Sequence, residues 1–372
     1  MKTLLVASFI SISSYAQFYN NAEGSPLLDL LKSAQESIKI EIYEMTNQKV
    51  LEALRQALER DVFVSIIQEP SPLEMPCQIF TRATSHDSAT CKAQKELVAE
   101  VKAHEGQYVA FNKAELCGVP GRSCFQHGKI ALIDGNVALI STGNFNDTNL
   151  CDLDQGPDVC NRDYSFVTED TEIIAGLDKI FEKDILGKHY DPGALISKSL
   201  SSKLTVSPVS LNNIISFIGS ATRSIQIQNQ YLEEPDLNAA LIKAAQKGVK
   251  VELMVSDVCN FGKPSATKNS QITHIFTDFD QAGISSRLFS KNQKINGKSG
   301  YLHAKAIVVD NANAWIGSMN GSTESALQNR EYGVYFDQTE SVSKLSKIMA
   351  NDYQDPNTLT WKQSLSCHNS KQ

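Results

Sequence analysis

No CxxC pair occurs in this 372-residue chain, and its seven histidines are not spaced as a ligand set. A structural zinc framework draws on such spacings, so no metal is expected. Past residue 16 no apolar stretch reaches the roughly 20 residues that a membrane-crossing helix needs, and no stable membrane anchor is expected. A basic excess is missing too. Lys and Arg number 35 against 42 Asp and Glu, for a net charge of −7. A protein that grips nucleic acid without regard to sequence usually presents a continuous cationic track, and the overall balance does not supply one.

What is present begins with a leader. Lys2, the apolar run Leu4 to Ile12 and the triplet Ser14-Tyr15-Ala16 follow the order of a secretory signal, so residues 1–16 are expected to be removed and the chain delivered to the periplasm or the medium. The remaining 356 residues carry 34 basic and 42 acidic side chains. Eight cysteines follow the cleavage site, an even number that reads as disulfides in an exported chain. Proximity suggests Cys77–Cys91, Cys117–Cys124 and Cys151–Cys160 as local staples and Cys259–Cys367 as a long tie.

The chain repeats itself. A short helix at Leu27 to Ala34, a strand at Ile38 to Ile42, a helix at Val50 to Leu58 and a strand at Val62 to Ile67 are predicted first. The same order returns at Ile214 to Ala221, Ile225 to Ile227, Leu237 to Gln246 and Val249 to Val255. Apolar, β-branched strands alternating with helices imply an α/β fold with sheets covered by helices. Polar residues from Ser197 to Ser202 mark the junction, giving domains over 17–196 and 203–354 and a polar tail over 355–372 held only through Cys367. Residues 71–124 and 256–300 read as loop-rich insertions that wall a cleft.

Each half carries one cassette. His127-Gly128-Lys129 leads through an apolar run to Asp134 and then to Gly143-Asn144; His303-Ala304-Lys305 leads to Asp310 and then to Gly317-Ser318-Met319-Asn320. In both, lysine follows histidine by two, aspartate by seven and asparagine by seventeen. His and Lys two apart on a strand share a face, so both can address one ligand. Two such cassettes would surround one pocket, and one chain would hold a complete site without a partner subunit. Lysine and asparagine donors can stabilise charge on a phosphodiester, while one imidazole attacks phosphorus and another protonates the leaving oxygen. With two ammonium groups present, no cofactor is required. Asn161-Arg162-Asp163 and Asn329-Arg330-Glu331 follow the cassettes, and their acids could each accept a histidine Nδ1 proton. Asp134 and Asp310 are expected to steady a turn or a lysine rather than move a proton.

The patterns HGKIALID…TGNFN…NRD and HAKAIVVD…GSMN…NRE resemble the phospholipase D superfamily. The resemblance implies two pseudo-symmetric α-β-α sandwich domains, each with a central mixed β-sheet. It also implies a two-step reaction, with a phosphohistidine on His127 and His303 as the leaving-group acid, although near-equivalent cassettes leave the reverse order open. Lys129, Lys305, Asn144 and Asn320 map onto the phosphate-binding set, and Asp163 and Glu331 onto the acids that support the histidines. Two departures stand out. Gly143-Asn144 replaces the Gly-Ser-x-Asn of the second copy, leaving one hydroxyl donor unassigned, and a cysteine-closed acidic loop, Cys151 to Cys160, lengthens the first copy.

The cassettes do not separate a phospholipid from a nucleic acid. Arg287, Lys291, Lys294 and Lys298 could hold a nucleic-acid backbone or form a solvated loop. Against the nuclease stand Asp147, Asp152, Asp154, Asp158 and Asp163 beside the first cassette, which suit a cationic headgroup better. Phospholipase D-type hydrolysis is the expectation, with a secreted endonuclease as the alternative; transfer to another alcohol and a binding module without turnover are the remaining readings.

Overall fold

The structure, a computed structural model, describes residues 16–73, 77–118, 124–151, 158–260 and 262–367. Residues 1–15 of the expected leader, and Asp152 and Asp154 of the acidic loop, lie outside the described residues. Ala16, the last residue of the expected leader, already belongs to a strand and pairs with Thr168.

Two seven-stranded mixed sheets organise the chain. Across the first the order is Ala16–Asn20, Tyr164–Thr168, Val137–Ser141, Lys129–Ile133, Ser37–Ile42, Phe63–Gln68, Gln107–Ala110. Across the second it is Leu204–Ser207, Glu331–Phe336, Asn313–Gly317, Ala306–Val309, Ser224–Asn229, Lys250–Ser256, Ser285–Phe289. The two orders match strand for strand, so the repeat in the sequence is a repeat in space. Within each sheet the βαβ-connected strands run parallel and the cassette hairpin antiparallel.

Local chemistry explains the elements. The helix Gln48–Glu59 starts at Asn47, whose side chain accepts the Val50 N–H, and turns Val50, Leu51, Leu54, Ala57 and Leu58 into the core as one stripe. The stretches read as loop-rich insertions instead contain a third helix-strand unit in each half. Helices Ala89–Ala103 and Ala266–Gln281 are capped by Ser88 and Ser265 and lead into the edge strands. In the first of them the apolar pattern is blurred because buried positions are filled by polar side chains: Gln94 donates to the Met45 carbonyl, and Lys95 pairs with Asp87 at 2.8 Å.

The halves share a core. Phe18, Ile140 and Phe166 of the first pack in one apolar cluster with Val206, Ile316 and Phe336 of the second, and the Phe166 and Phe336 rings stack 4.7 Å apart. Chain segments also cross between them. Val159–Arg162 pairs in parallel with Lys298–Leu302, and Gln126 bridges to Arg330. Arg162 holds Asp352 through two bonds of 2.8 Å, and Arg330 holds Asp184 at 2.7 and 3.0 Å. All four side chains are buried, and each pair joins opposite halves.

All four expected disulfides are present. The tail is held by more than Cys367. Leu359 bridges to Leu288, Trp361 stacks on Phe276, and Ser364 bonds both Asp257 and the Val258 N–H. Composition hid this because the anchors are single side chains in an otherwise polar segment.

Candidate active site

Each histidine sits just ahead of its cassette strand, and each is fixed from the opposite half. The His127 N–H donates to the Arg330 carbonyl at 2.9 Å, and the His303 N–H donates to the Arg162 carbonyl at 3.2 Å. The acid that follows each arginine then takes the imidazole. His127 Nδ1 lies 2.8 Å from Glu331 Oε2, and His303 Nδ1 lies 2.9 Å from Asp163 Oδ1. Parallel pairing across the interface therefore delivers the carboxylate as a consequence of register.

His127, His303, Asn144 and Asn320 line one cleft of about 900 Å³. The side-chain oxygens of Asn144 and Asn320 are buried without a partner among the described residues. Lys129 and Lys305 lie behind the histidines, fully buried, and each donates to its own histidine's carbonyl; Lys305 Nζ is also 3.2 Å from His303 Nε2. All eight expected residues are thus brought together, four as lining and four as a buried second layer.

Asp134 and Asp310 sit at the other ends of the cassette strands. Asp134 accepts backbone N–H groups from Gln35, Glu36 and Ser37, and Asp310 accepts those of Thr222, Arg223 and Ser224. Both hold a turn, as the sequence suggested. The missing hydroxyl is also found. Thr142 stands at the Ser318 position and donates to Asp163 Oδ1 at 2.6 Å. A side chain at Gly143 would meet Asp163, since its Cβ would fall 2.7 Å from Asp163 Cγ.

Burial sets the charge states. It pulls the imidazoles of His127 and His303 down to about 4, against the opposing pull of Glu331 and Asp163. It pulls Lys305 down to about 8 and Lys129 well below its ordinary value. Burial pushes both carboxyls up, but His303 and Lys305 beside Asp163, and His127 and Lys129 beside Glu331, hold them below the usual range. At neutral pH both imidazoles are uncharged. With a carboxylate accepting Nδ1–H, each leaves an Nε2 lone pair for nucleophilic or base chemistry.

A family model described as "Cardiolipin synthase, PLD-like domain" matches residues 27–185 and again residues 214–353. The chain belongs to the phospholipase D superfamily. The cardiolipin synthase of Alkalihalophilus pseudofirmus is 24% identical over 366 residues, which are 90% of this chain and 65% of that protein. The one from Geobacillus thermodenitrificans is 22% identical over 385 residues, 95% of this chain and 69% of that protein. The chain thus spans about two thirds of the length of these relatives. Among solved structures, the phosphatidylserine synthase of Haemophilus influenzae Rd KW20 shares the fold with a TM-score of 0.62 at 14% identity, covering 95% of this chain and 92% of that one. The polyphosphate kinase of Porphyromonas gingivalis gives a TM-score of 0.59 at 14% identity, over 96% and 55%. The chemistry common to this superfamily, at phosphodiester-type phosphorus, is therefore that of this chain.

Several residues of this phospholipase D-like site escaped sequence reasoning. Asn149 donates to Asp163, and Ser325 donates to Glu331; both stand five residues past the cassette asparagine. Asp184 and Asp352, which anchor Arg330 and Arg162, both stand 21 residues past the supporting acid. Matching offsets in the two copies are the signal that could have found all four. Tyr43 was missed as well; its ring packs edge-on against His127 at 5.2 Å, with Lys129 Nζ 5.4 Å from its centre.

Proposed function

We propose that this chain cleaves the headgroup-side phosphodiester of glycerophospholipids at a lipid surface, through a phosphohistidine on His127. The observation that carries this reading is the mouth of the cleft. Leu73, Val159 and Tyr231 line it while standing 79%, 38% and 36% exposed. Exposed apolar side chains around a reaction cleft suit contact with lipid better than with a polyanion. Tyr43, Phe125 and Tyr301 continue the aromatic wall inward.

The basic stretch does not form a rail along the cleft. Arg287 packs against the Tyr353 ring, Lys294 reaches Ser299, Lys298 reaches the Cys151 carbonyl, and of these four Lys291 lines the cleft. The lipid-forming activities named for the cardiolipin synthase relatives point the same way. The four disulfides support export to an oxidising compartment.

In this reading Glu331 holds the His127 Nδ1–H, and Nε2 attacks phosphorus. The P–O bond to the headgroup breaks, and the leaving oxygen takes a proton from His303, which the incoming phosphate anion brings to its charged form. Lys129, Lys305, Asn144 and Asn320 offset charge on the non-bridging oxygens. His303 then removes a proton from water or an acceptor alcohol, whose oxygen forms the new P–O bond as the P–N bond breaks. The deciding experiment is a pair of assays with EDTA present, one on phosphatidylcholine and cardiolipin vesicles, one on single- and double-stranded DNA and RNA. Headgroup release from vesicles with intact nucleic acid is expected; cut nucleic acid with untouched lipid overturns the reading.

A further inference from the structure

Among the buried positions beneath the reacting pair, one that differs between the halves is a carboxyl in the first and an amide in the second. Glu41 lies across from Ile130, one residue past the cassette lysine, and Gln228 lies across from Ala306 at the matching place. Both are buried. Around Gln228 every bond is made. Tyr164 donates to its Oε1 at 2.7 Å, and its Nε2 donates to Asp352 Oδ2 at 3.0 Å, the same carboxylate that holds Arg162.

Glu41 meets the same surroundings with no amide to donate. Gln126 Nε2 donates to its Oε2 at 2.9 Å. The Tyr332 hydroxyl lies beside the carboxyl, yet neither it nor Glu41 Oε1 makes a hydrogen bond of good geometry, and Gln126 Oε1 is likewise unpartnered among the described residues. Asp184, which corresponds to Asp352, stands close enough to act on Glu41 by charge and is held by Arg330 and Tyr190. An ionised Glu41 would add a second buried carboxylate to a single guanidinium. A carboxylic acid O–H supplies the donor that the Gln228 amide supplies in the other half.

We propose that Glu41 is a positioning residue for His127 that works as the neutral acid, its proton allowing Asp184, Arg330 and Gln126 to hold the segment that carries the histidine. The route to the site is short. Gln126 precedes His127, and its N–H donates to Glu69 Oε2 at 3.0 Å; Glu69 in turn pairs with Lys113. On the other side Arg330 accepts the His127 N–H, and its neighbour Glu331 takes Nδ1. Under His303 the residues at the positions of Gln126 and Glu41 are Leu302 and Gln228, neither of which titrates. The groups facing Glu41 are Asp184 at the end of the helix Thr171–Asp184, Tyr190 beyond it, Arg330 and Tyr332 from the second half, and Gln126. Burial first, and Asp184 second, push the Glu41 carboxyl up to about 8.

The inference rests on His127 belonging to the reacting pair, and its test does not require turnover. In wild type labelled with 13C-glutamate, infrared difference spectra between pH 6 and pH 9 should show a protonated-carboxyl band lost with a midpoint near 8; Glu41→Gln should lack that band. Folded Glu41 keeps its proton above its unfolded value of 4.5, so its stabilising contribution is full below that value and lost as pH rises towards 8. The melting temperature of Glu41→Gln should therefore gain on wild type from pH 5 to pH 8 and level off beyond. NMR of the imidazoles should show His127 sensing a titration near pH 8 that Glu41→Gln removes, while His303, 3.2 Å from a Lys305 ammonium that itself titrates near 8, responds alike in wild type and variant. Absence of the band in wild type overturns the proposal even if the variant fails to fold. Parallel stability profiles, or a His127 response that Glu41→Gln leaves unchanged, also overturn it.

Discussion

His303 belongs to the second half of the chain, and its Nδ1 is bonded at 2.9 Å by Asp163 of the first; His127 is bonded in the reciprocal sense by Glu331. The support of each imidazole is therefore an interdomain contact, and the two acids should have separable effects. Asp163→Asn should slow release of ordinary alcohols on the order of 10²- to 10⁴-fold while sparing the first-turnover release of p-nitrophenol from a p-nitrophenyl phosphodiester, because His303 loses its hold as an acid. Glu331→Gln should slow phosphoenzyme formation on both substrates. Rates on the two substrates for the two variants check this, and identical profiles would contradict it.

The arginine clamps should be costly to break singly. Arg162→Ala leaves Asp352 buried and uncompensated, with an expected loss of about 3–5 kcal/mol. Replacing the pair together, Arg162→Met with Asp352→Leu, should cost much less. Denaturant unfolding of both variants measures the difference.

Phosphate should change the charge of the site. Free, both imidazoles stay neutral down to about pH 4. An anion beside two ammonium groups favours a protonated imidazole, so adding inorganic phosphate should raise the apparent pKa of at least one of them. Imidazole 15N shifts, recorded against pH with and without phosphate, read this directly. No shift on either histidine would remove the phosphate from the place assigned to it.

Acid should loosen the interface through the same two carboxylates. Asp163 and Glu331 are held below their ordinary values, so their contribution is present above the unfolded values of 3.8 and 4.5 and lost as pH falls through the folded ones. Melting temperature should drop on acidification, and Glu331→Gln should show a shallower drop than wild type.

Much of this was legible in one sequence because duplication supplies its own control. The offsets from His127 and His303 to lysine, asparagine and aspartate recur, and close cysteine spacing identified the staples. The partner of each acid was not legible. It depends on Cys160 lying beside Gly300, and on Gln126 lying beside Arg330, pairings between residues more than a hundred positions apart. The helix Ala89–Ala103 was hidden by buried Gln94 and Lys95, and the anchoring of the tail by Trp361 and Ser364, contacts that no local period encodes.

The central claim is that two cassettes make one pocket with His127 as nucleophile. Rapid quenching during turnover at neutral to alkaline pH, followed by peptide mass mapping, locates the acid-labile phosphoryl group. The expected result is a phosphohistidine at His127 that disappears in His127→Ala. A phosphoryl group on His303 would reverse the roles, and turnover with no covalent intermediate would contradict the mechanism.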